Sequence, residues 1–145
     1  MIRRIDHVGV LVRSIAETLP LYTGLLGFSA EPPVELPEQQ VRVAFLRAGH
    51  DQIELLEPMA PDCLLAKVLA KRGEGLLHIC LEVEDIEGEL RRLEGAGVAL
   101  VDRHAWQSPH GLAAFIHHKA FHGVSIELRQ RVSPEGETQS ARGPE

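Results

Sequence analysis

The chain repeats itself, and that limits its architecture more than any other feature. Ile5-Asp6-His7-Val8-Gly9-Val10-Leu11-Val12 aligns with Leu76-Leu77-His78-Ile79-Cys80-Leu81-Glu82-Val83 at a shift of 71 residues, which puts His7 on His78. Ala44-Phe45-Leu46 aligns with Ala114-Phe115-Ile116 at a shift of 70, and Ile53-Glu54-Leu55 with Ile126-Glu127-Leu128 at a shift of 73. Loops of slightly different length account for the drift. Two copies of a unit of roughly 60 residues are implied, each too small to bury its apolar face alone.

Each copy opens on an alternating strand. Over Asp6–Val12, residues Asp6, Val8, Val10 and Val12 share one face, while Ile5, His7, Gly9 and Leu11 share the other. In the second copy Leu77, Ile79, Leu81 and Val83 oppose Leu76, His78, Cys80 and Glu82. Both histidines are expected opposite the more apolar face. A helix follows each strand. Ser14-Ile15-Ala16-Glu17 reads as a capping box, with a stripe of Ile15, Leu19, Tyr22 and Leu26 that ends at Gly27. Pro20 should kink or shorten this helix. The second helix is capped by Asp85, carries Ile86, Leu90 and Leu93, and ends near Gly95 and Gly97. Hairpins close the copies: Arg42–Arg47 with Gln52–Leu56, and Ala113–His117 with Val124–Arg129.

The expected fold is α+β, built from two tandem βαβββ modules. We read one domain over 1–132, with a first module at 1–63, a connector at about 58–75 and a second module at 74–132. The connector carries a short helix near Leu64–Arg72. The stretch 133–145 holds Pro, Gly, Glu and Ser with no large apolar residue, which reads as a disordered tail. Among 145 residues no run approaches a membrane span, and the net charge of −6 opposes a broad nucleic-acid surface. Neither a membrane nor a nucleic acid is expected as a partner. Cys63 and Cys80 form no CxxC pair. That points to a reducing, cytoplasmic setting without a disulfide framework.

Chemistry concentrates at four repeated positions. Glu54 breaks the apolar face formed by Ile53 and Leu55, and Glu127 does the same between Ile126 and Leu128. Each copy thus offers one histidine and one glutamate, on polar faces of its outer strands. If the copies pair about a pseudo-twofold axis, His7, Glu54, His78 and Glu127 converge. Two imidazoles and two carboxylates suit a divalent ion of intermediate softness, namely Co²⁺, Mn²⁺, Ni²⁺ or Zn²⁺. An octahedral site would keep two positions for water or substrate, which permits Lewis-acid chemistry.

At these residues the chain resembles the vicinal oxygen chelate superfamily of glyoxalases, bleomycin-resistance proteins and dioxygenases. Within it, the chain is similar to the methylmalonyl-CoA epimerases. The stretches that carry the likeness are Ile5-Asp6-His7-Val8-Gly9-Val10, Leu36-Pro37-Glu38-Gln39, Val41-Arg42-Val43-Ala44-Phe45-Leu46 and Ile53-Glu54-Leu55-Leu56-Glu57-Pro58. Ala66-Lys67, Lys71-Arg72-Gly73-Glu74-Gly75 and Gly123-Val124-Ser125-Ile126-Glu127-Leu128 complete them. The resemblance implies an open, barrel-like cleft around a metal held by His7, Glu54, His78 and Glu127. It also implies a homodimer and an acyl-CoA substrate. The implied activity inverts C2 of methylmalonyl-CoA by proton abstraction through a metal-stabilised enolate. Co²⁺ is the first choice of ion. The resemblance implies Glu127 as an acid–base residue, and pseudo-symmetry, which puts Glu54 on the other side of the metal, suggests that the two share the work. Two alternatives share the fold: a glyoxalase-I-type lactoylglutathione lyase, and a drug-binding resistance protein that needs no metal.

The chain also departs from the family pattern. Val43 stands where some epimerases carry a glutamate base, and Glu54 stands where those enzymes can carry glutamine. Leu77 replaces a second histidine, the usual Gly-rich turn reads Ser108-Pro109-His110-Gly111-Leu112, and a His-Pro-Lys turn reads His117-His118-Lys119. Lys119 is a candidate for a substrate carboxylate, Lys71 and Arg72 for CoA phosphates, and Gln39 for the substrate border. His110, His117, His118 and His122 read as loop histidines, Cys80 as a small apolar filler, and Trp106 equally as packing or as a pocket wall.

Overall fold

The computed structural model describes residues 1–132, so the tail read at 133–145 lies outside the described residues. Each repeat opens on a strand and a helix and closes on a run of strands. The first repeat gives β1 (Ile2–Leu11), α1 (Ile15–Pro20), a π-helical turn (Leu21–Leu25), β2 (Ser29–Ala30), β3 (Val34–Leu36), β4 (Val41–Ala48) and β5 (Asp51–Pro58). The connector holds α2 (Leu64–Arg72), as its Ala, Leu and Lys content predicts. The second repeat gives β6 (Gly75–Val83), α3 (Ile86–Gly95), β7 (Trp106–Ser108), β8 (Gly111–Ile116), a 3-10 turn (His118–Phe121) and β9 (Ser125–Gln130). The second repeat follows the βαβββ pattern. The first splits one expected strand into β2 and β3, which both pair antiparallel with β4.

The described residues pack as two compact units, Ile5–Cys80 and Met1–Arg4 together with residues 81–132. In the first unit the strand order is β2-β4-β5-β1-β6, with β1 and β5 parallel and β4 and β5 antiparallel. The β4–β5 hairpin turns through Gly49 and His50. Gly49, at φ 62, takes the first central position, where a two-residue turn needs positive φ. Alternation then sorts the side chains. Ala44, Leu46 and Leu55 join Val12 and Ile15 in one apolar cluster that Leu19 and Tyr22 cover. Val41, Val43, Phe45 and Leu56 form a second cluster on the opposite face, covered by Leu36, Leu65 and Leu77.

Helix ends follow the sequence with one change. Ser14 Oγ accepts from the Glu17 N–H at 3.1 Å, which is half of the expected capping box. Pro20 has no N–H for the carbonyl one turn back, so α1 ends there and the chain widens into the π turn. In the second unit Asp85 caps α3 through the Gly88 N–H at 3.0 Å. The strand order there is β9-β8-β7. Gly111 is obligatory: at φ +117 a Cβ would overlap the Gln130 carbonyl. Trp106 stacks on Phe115 at 6.5 Å and donates its indole N–H to Asp102 at 3.3 Å. Among the described residues no helix is long and apolar enough to cross a membrane.

Glu89 links α3 to the chain start. Its carboxylate accepts from the Arg92 guanidinium at 2.7 Å and from the Met1 ammonium at 2.6 Å. The Arg92 guanidinium, helped by the ammonium, holds this carboxyl below its ordinary range. A carboxyl whose folded pKa is depressed adds stability above its unfolded pKa and loses it as pH falls through the folded value. Glu89→Gln should therefore lower stability by about 1 kcal/mol at neutral pH. The gap to wild type should close as the pH drops below about 4. Denaturant unfolding from neutral to acid pH checks both statements.

Candidate metal centre

Three strands bring three donors to one buried point in the Ile5–Cys80 unit. His7 Nε2, from β1, lies 3.1 Å from His78 Nε2, from β6. Glu54 Oε1, from β5, lies 3.5 Å from each. The residues are 1%, 3% and 6% exposed, so the carboxylate and both imidazoles are cut off from bulk water. All three donor atoms lie within 4.8 Å of one another.

Register explains the convergence. In the parallel β1–β5 pair Gly9 stands opposite Glu54, so His7, two residues earlier, shares the Glu54 face. Gly9 contributes no side chain there, and the His78 ring fills the space. A Cβ on Gly9 would overlap the imidazole atoms Cε1, Nδ1 and Nε2. Phe45, the cross-strand partner of Glu54, meets the His7 ring edge-on at 5.4 Å. The apolar cluster around Val43 and Leu56 thus forms the floor of the site.

Asp6 finishes the arrangement. Its carboxylate oxygen lies 2.8 Å from His7 Nδ1, and it is 1% exposed. A carboxylate accepts only, so Nδ1 carries the proton and Nε2 turns a lone pair toward Glu54 and His78. A carboxylate behind a histidine is the usual means of orienting a metal-binding imidazole. Two imidazole nitrogens and one carboxylate oxygen, buried together with that support, fit a divalent ion of intermediate softness. Cys80 also lies close, its sulfur grouping with Asp6 and His7 within 4.8 Å.

Glu127 belongs to the other unit and occupies the repeat-equivalent place there. It is 2% exposed and pairs across the ladder with Phe115, as Glu54 does with Phe45. The Arg129 guanidinium donates to its Oε1 at 2.8 Å, and both side chains are almost wholly buried. Removing one partner from such a pair leaves a buried charge uncompensated, which costs roughly 3–5 kcal/mol.

Two expectations need correction. The histidine faces are not the polar faces of their strands. His7, Gly9 and Leu11 are buried while Val8 and Val10 are half-buried, and His78 and Cys80 are more buried than Ile79 and Leu81. Nor does Glu54 sit on an outer strand, because β5 lies between β4 and β1. Both errors come from treating every His or Glu as solvent-seeking. Here the polar groups are buried beside one another.

The remaining candidates are exposed. Gln39 lies in the β3–β4 turn, and Lys71 and Arg72 end α2, where cations favour the helix C-terminus and Arg72 donates to the Leu76 carbonyl. Lys119 lies in the 3-10 turn, its N–H on His117 Nδ1 at 3.1 Å, and the His117 and His118 rings stack at 4.5 Å. Sequence reasoning passed over Asp6 and Gly9. The signal was present: Asp6 directly precedes His7, and Gly9 aligns with Cys80, so both copies carry a small residue there.

Gly9→Ala should push the His78 ring away from His7. The expected loss is about 1–3 kcal/mol of stability, read by denaturant unfolding. Altered imidazole resonances of both histidines in the NMR spectrum should accompany it.

Residues 6–115 match the Glyoxalase/Bleomycin resistance protein/Dioxygenase superfamily. The ethylmalonyl-CoA/methylmalonyl-CoA epimerase of Cereibacter sphaeroides is 34% identical over 133 residues, covering 90% of this chain and 99% of that protein. The mitochondrial methylmalonyl-CoA epimerase of Bos taurus is 33% identical over 129 residues, covering 88% of this chain and 74% of that protein. A solved methylmalonyl-CoA epimerase in complex with methylmalonyl-CoA and NH4+ superposes with a TM-score of 0.86 at 30% identity, covering 92% of this chain and 97% of that one. The repeat, the buried His/Glu trio and these likenesses agree: the chain belongs to the glyoxalase/bleomycin resistance/dioxygenase superfamily, the vicinal oxygen chelate fold, and within it to the isomerases of the methylmalonyl-CoA epimerase family.

Proposed function

We propose that this protein inverts C2 of methylmalonyl-CoA, with His7, Glu54, His78 and Glu127 as ligands of one divalent ion. The observation that carries the reading is the buried His7–Glu54–His78 trio with Asp6 behind His7. Glu127 is assigned as the fourth ligand by its equivalence to Glu54 in the repeat and by the burial of its carboxylate. Co²⁺ is the ion we assign, and the donor set would also accept Mn²⁺, Ni²⁺ or Zn²⁺.

An ion held by these residues would supply Lewis-acid polarisation that lowers the cost of negative charge at C2. The protein's own groups then move the proton. The hydrogen on C2 lies between a carboxylate and a thioester and is weakly acidic. Inversion needs that C–H bond to break toward a base on one face and a new C–H bond to form from an acid on the other. Glu127 and Glu54 are our pair for this work, Glu127 first. Arg129 fixes one oxygen of Glu127, which holds the carboxylate in a single orientation. Val43 cannot take part, because it is an aliphatic side chain packed beside Phe45 and Leu56. Burial of Glu54 and Glu127 keeps water from competing for the proton.

Around this centre we assign Lys119 to the substrate carboxylate, Lys71 and Arg72 to CoA phosphates and Gln39 to the substrate border. All four are exposed. The setting that goes with this reading is a homodimer in the reducing cytoplasm. The homodimer follows from the family resemblance, and the reducing setting from the lack of any CxxC pair in the sequence.

The direct test is proton exchange. Metal-loaded protein and one epimer of methylmalonyl-CoA are incubated in D₂O, and C2 deuteration and inversion are followed. Both should be fast in wild type and reduced about 10²–10⁴-fold in Glu127→Ala. Bound metal with no exchange above the no-enzyme control would transfer the assignment to glyoxalase-type hemithioacetals. In a separate experiment, Asp6→Asn should weaken Co²⁺ binding about 10–100-fold by calorimetry, without unfolding the chain.

A further inference from the structure

His7 has two ring nitrogens, and the centre described above uses only Nε2. Nδ1 faces other donors. Asp6 Oδ2 lies 2.8 Å from it. The Cys80 sulfur joins Asp6 and His7 in a second group, one donor atom from each lying within 4.8 Å of the others. All three residues belong to the Ile5–Cys80 unit, and all are at most 1% exposed. Cys80 forms no disulfide, and its thiol has no task in the inversion at C2. The repeat does not reproduce this trio. Asp6 aligns with Leu77 and Cys80 with Gly9, so the carboxylate and the sulfur belong to one arrangement only. The two sides of the His7 ring also differ in softness. Nε2 looks toward the Glu54 oxygen and the His78 nitrogen. The other group adds a sulfur, and thiolate selects softer ions than carboxylate and imidazole do.

We propose that Asp6, His7 Nδ1 and Cys80 form a second, thiophilic metal site that competes with the Glu54–His78 side for the same imidazole. Size supports it. Donors held by one ion at about 2.0–2.3 Å stand about 3.3–3.8 Å apart in a tetrahedron. The Asp6–Nδ1 contact is slightly tighter than that and the 4.8 Å spread slightly wider, so small side-chain shifts close the site. Chemistry supports it too. A neutral imidazole has one lone pair and one N–H. While Asp6 accepts from Nδ1, the lone pair sits on Nε2 and serves the candidate centre. A soft divalent ion drawn to the Cys80 sulfur takes the lone pair at Nδ1 instead. The Nδ1 proton is then carried on Nε2, and the thiol proton leaves to the solvent. The two positive charges of the ion meet the Asp6 carboxylate and the Cys80 thiolate. With a proton on Nε2, His7 is lost to Glu54 and His78. One ring therefore serves either site but not both. The rivalry rests on His7 being a ligand in the reading above; the thiophilic site does not.

The test uses Cd²⁺ as the probe on the full chain. Cadmium bound to a thiolate absorbs in the ultraviolet by charge transfer from sulfur, and cadmium bound only to nitrogen and oxygen does not. Wild type and Cys63→Ser should both develop that band and saturate it at a single equivalent of Cd²⁺. Cys80→Ser should lose the band and bind Cd²⁺ at least about tenfold more weakly. The cadmium NMR resonance of Cys63→Ser, deshielded by sulfur, reads the same bond with Cys80 left intact. On protein first loaded with Co²⁺, Cd²⁺ should release cobalt from wild type at a concentration about tenfold below that needed for Cys80→Ser. No charge-transfer band in wild type overturns the proposal, as does a band that survives Cys80→Ser. Sulfur-bound cadmium that leaves cobalt in place keeps the thiophilic site and removes His7 from the ligands assigned to the candidate centre.

Discussion

The contact on which the site depends is the His78 imidazole lying in the space that Gly9 leaves open. It brings β6 against β1 at the point where β5 presents Glu54. Three polar groups then meet in a region that water does not reach. Burying an imidazole or a carboxylate without partners costs several kcal/mol. Here the His7 and His78 ring nitrogens lie 3.1 Å apart, within hydrogen-bond distance, and Asp6 accepts from His7 Nδ1. The same arrangement keeps His7 in one tautomer with its Nε2 lone pair directed at the other donors. Structure and chemistry therefore make the same demand, and a methyl group on Gly9 would break both.

The apolar framework holds that point in place from two sides. The β4–β5 hairpin places Ala44, Leu46 and Leu55 under α1, and Val43, Phe45 and Leu56 under the candidate centre. Phe45 supports the His7 ring edge-on and lies across the ladder from Glu54. The second repeat reproduces the pair as Phe115 and Glu127. There a buried arginine, Arg129, meets the carboxylate. The equivalent glutamates thus sit in different electrostatic surroundings: Glu54 faces two imidazoles and Glu127 a guanidinium.

Much of this was legible in the chain itself. The repeat shift marked His7, Glu54, His78 and Glu127 as a set before any coordinate. The caps at Ser14 and Asp85, the hairpin at Gly49 and the connector helix at Leu64–Arg72 all formed where local chemistry called for them. Pro20 shortened its helix for the reason expected of a missing N–H. The depth of the histidines was not legible. A strand that alternates His with Gly and Leu looks half-polar when residues are read one at a time, and only the neighbouring strands show that this face is the buried one. Asp6 was adjacent to His7 in plain view. Its role rests on a side-chain rotamer, which sequence does not fix.

The sequence by itself determined the repeated strand–helix–hairpin order, the pairing of residue types across the copies and the donor chemistry available to a metal. Those properties depend on local periodicity and residue identity, and both are written along one dimension. Tertiary structure alone decided that β5 lies between β4 and β1, and that Gly9 opposes Glu54 and makes room for His78. Those facts follow from which strands become neighbours and in what register. Neighbour choice is settled by the burial of whole faces against each other, a long-range balance that no local stretch of the chain contains.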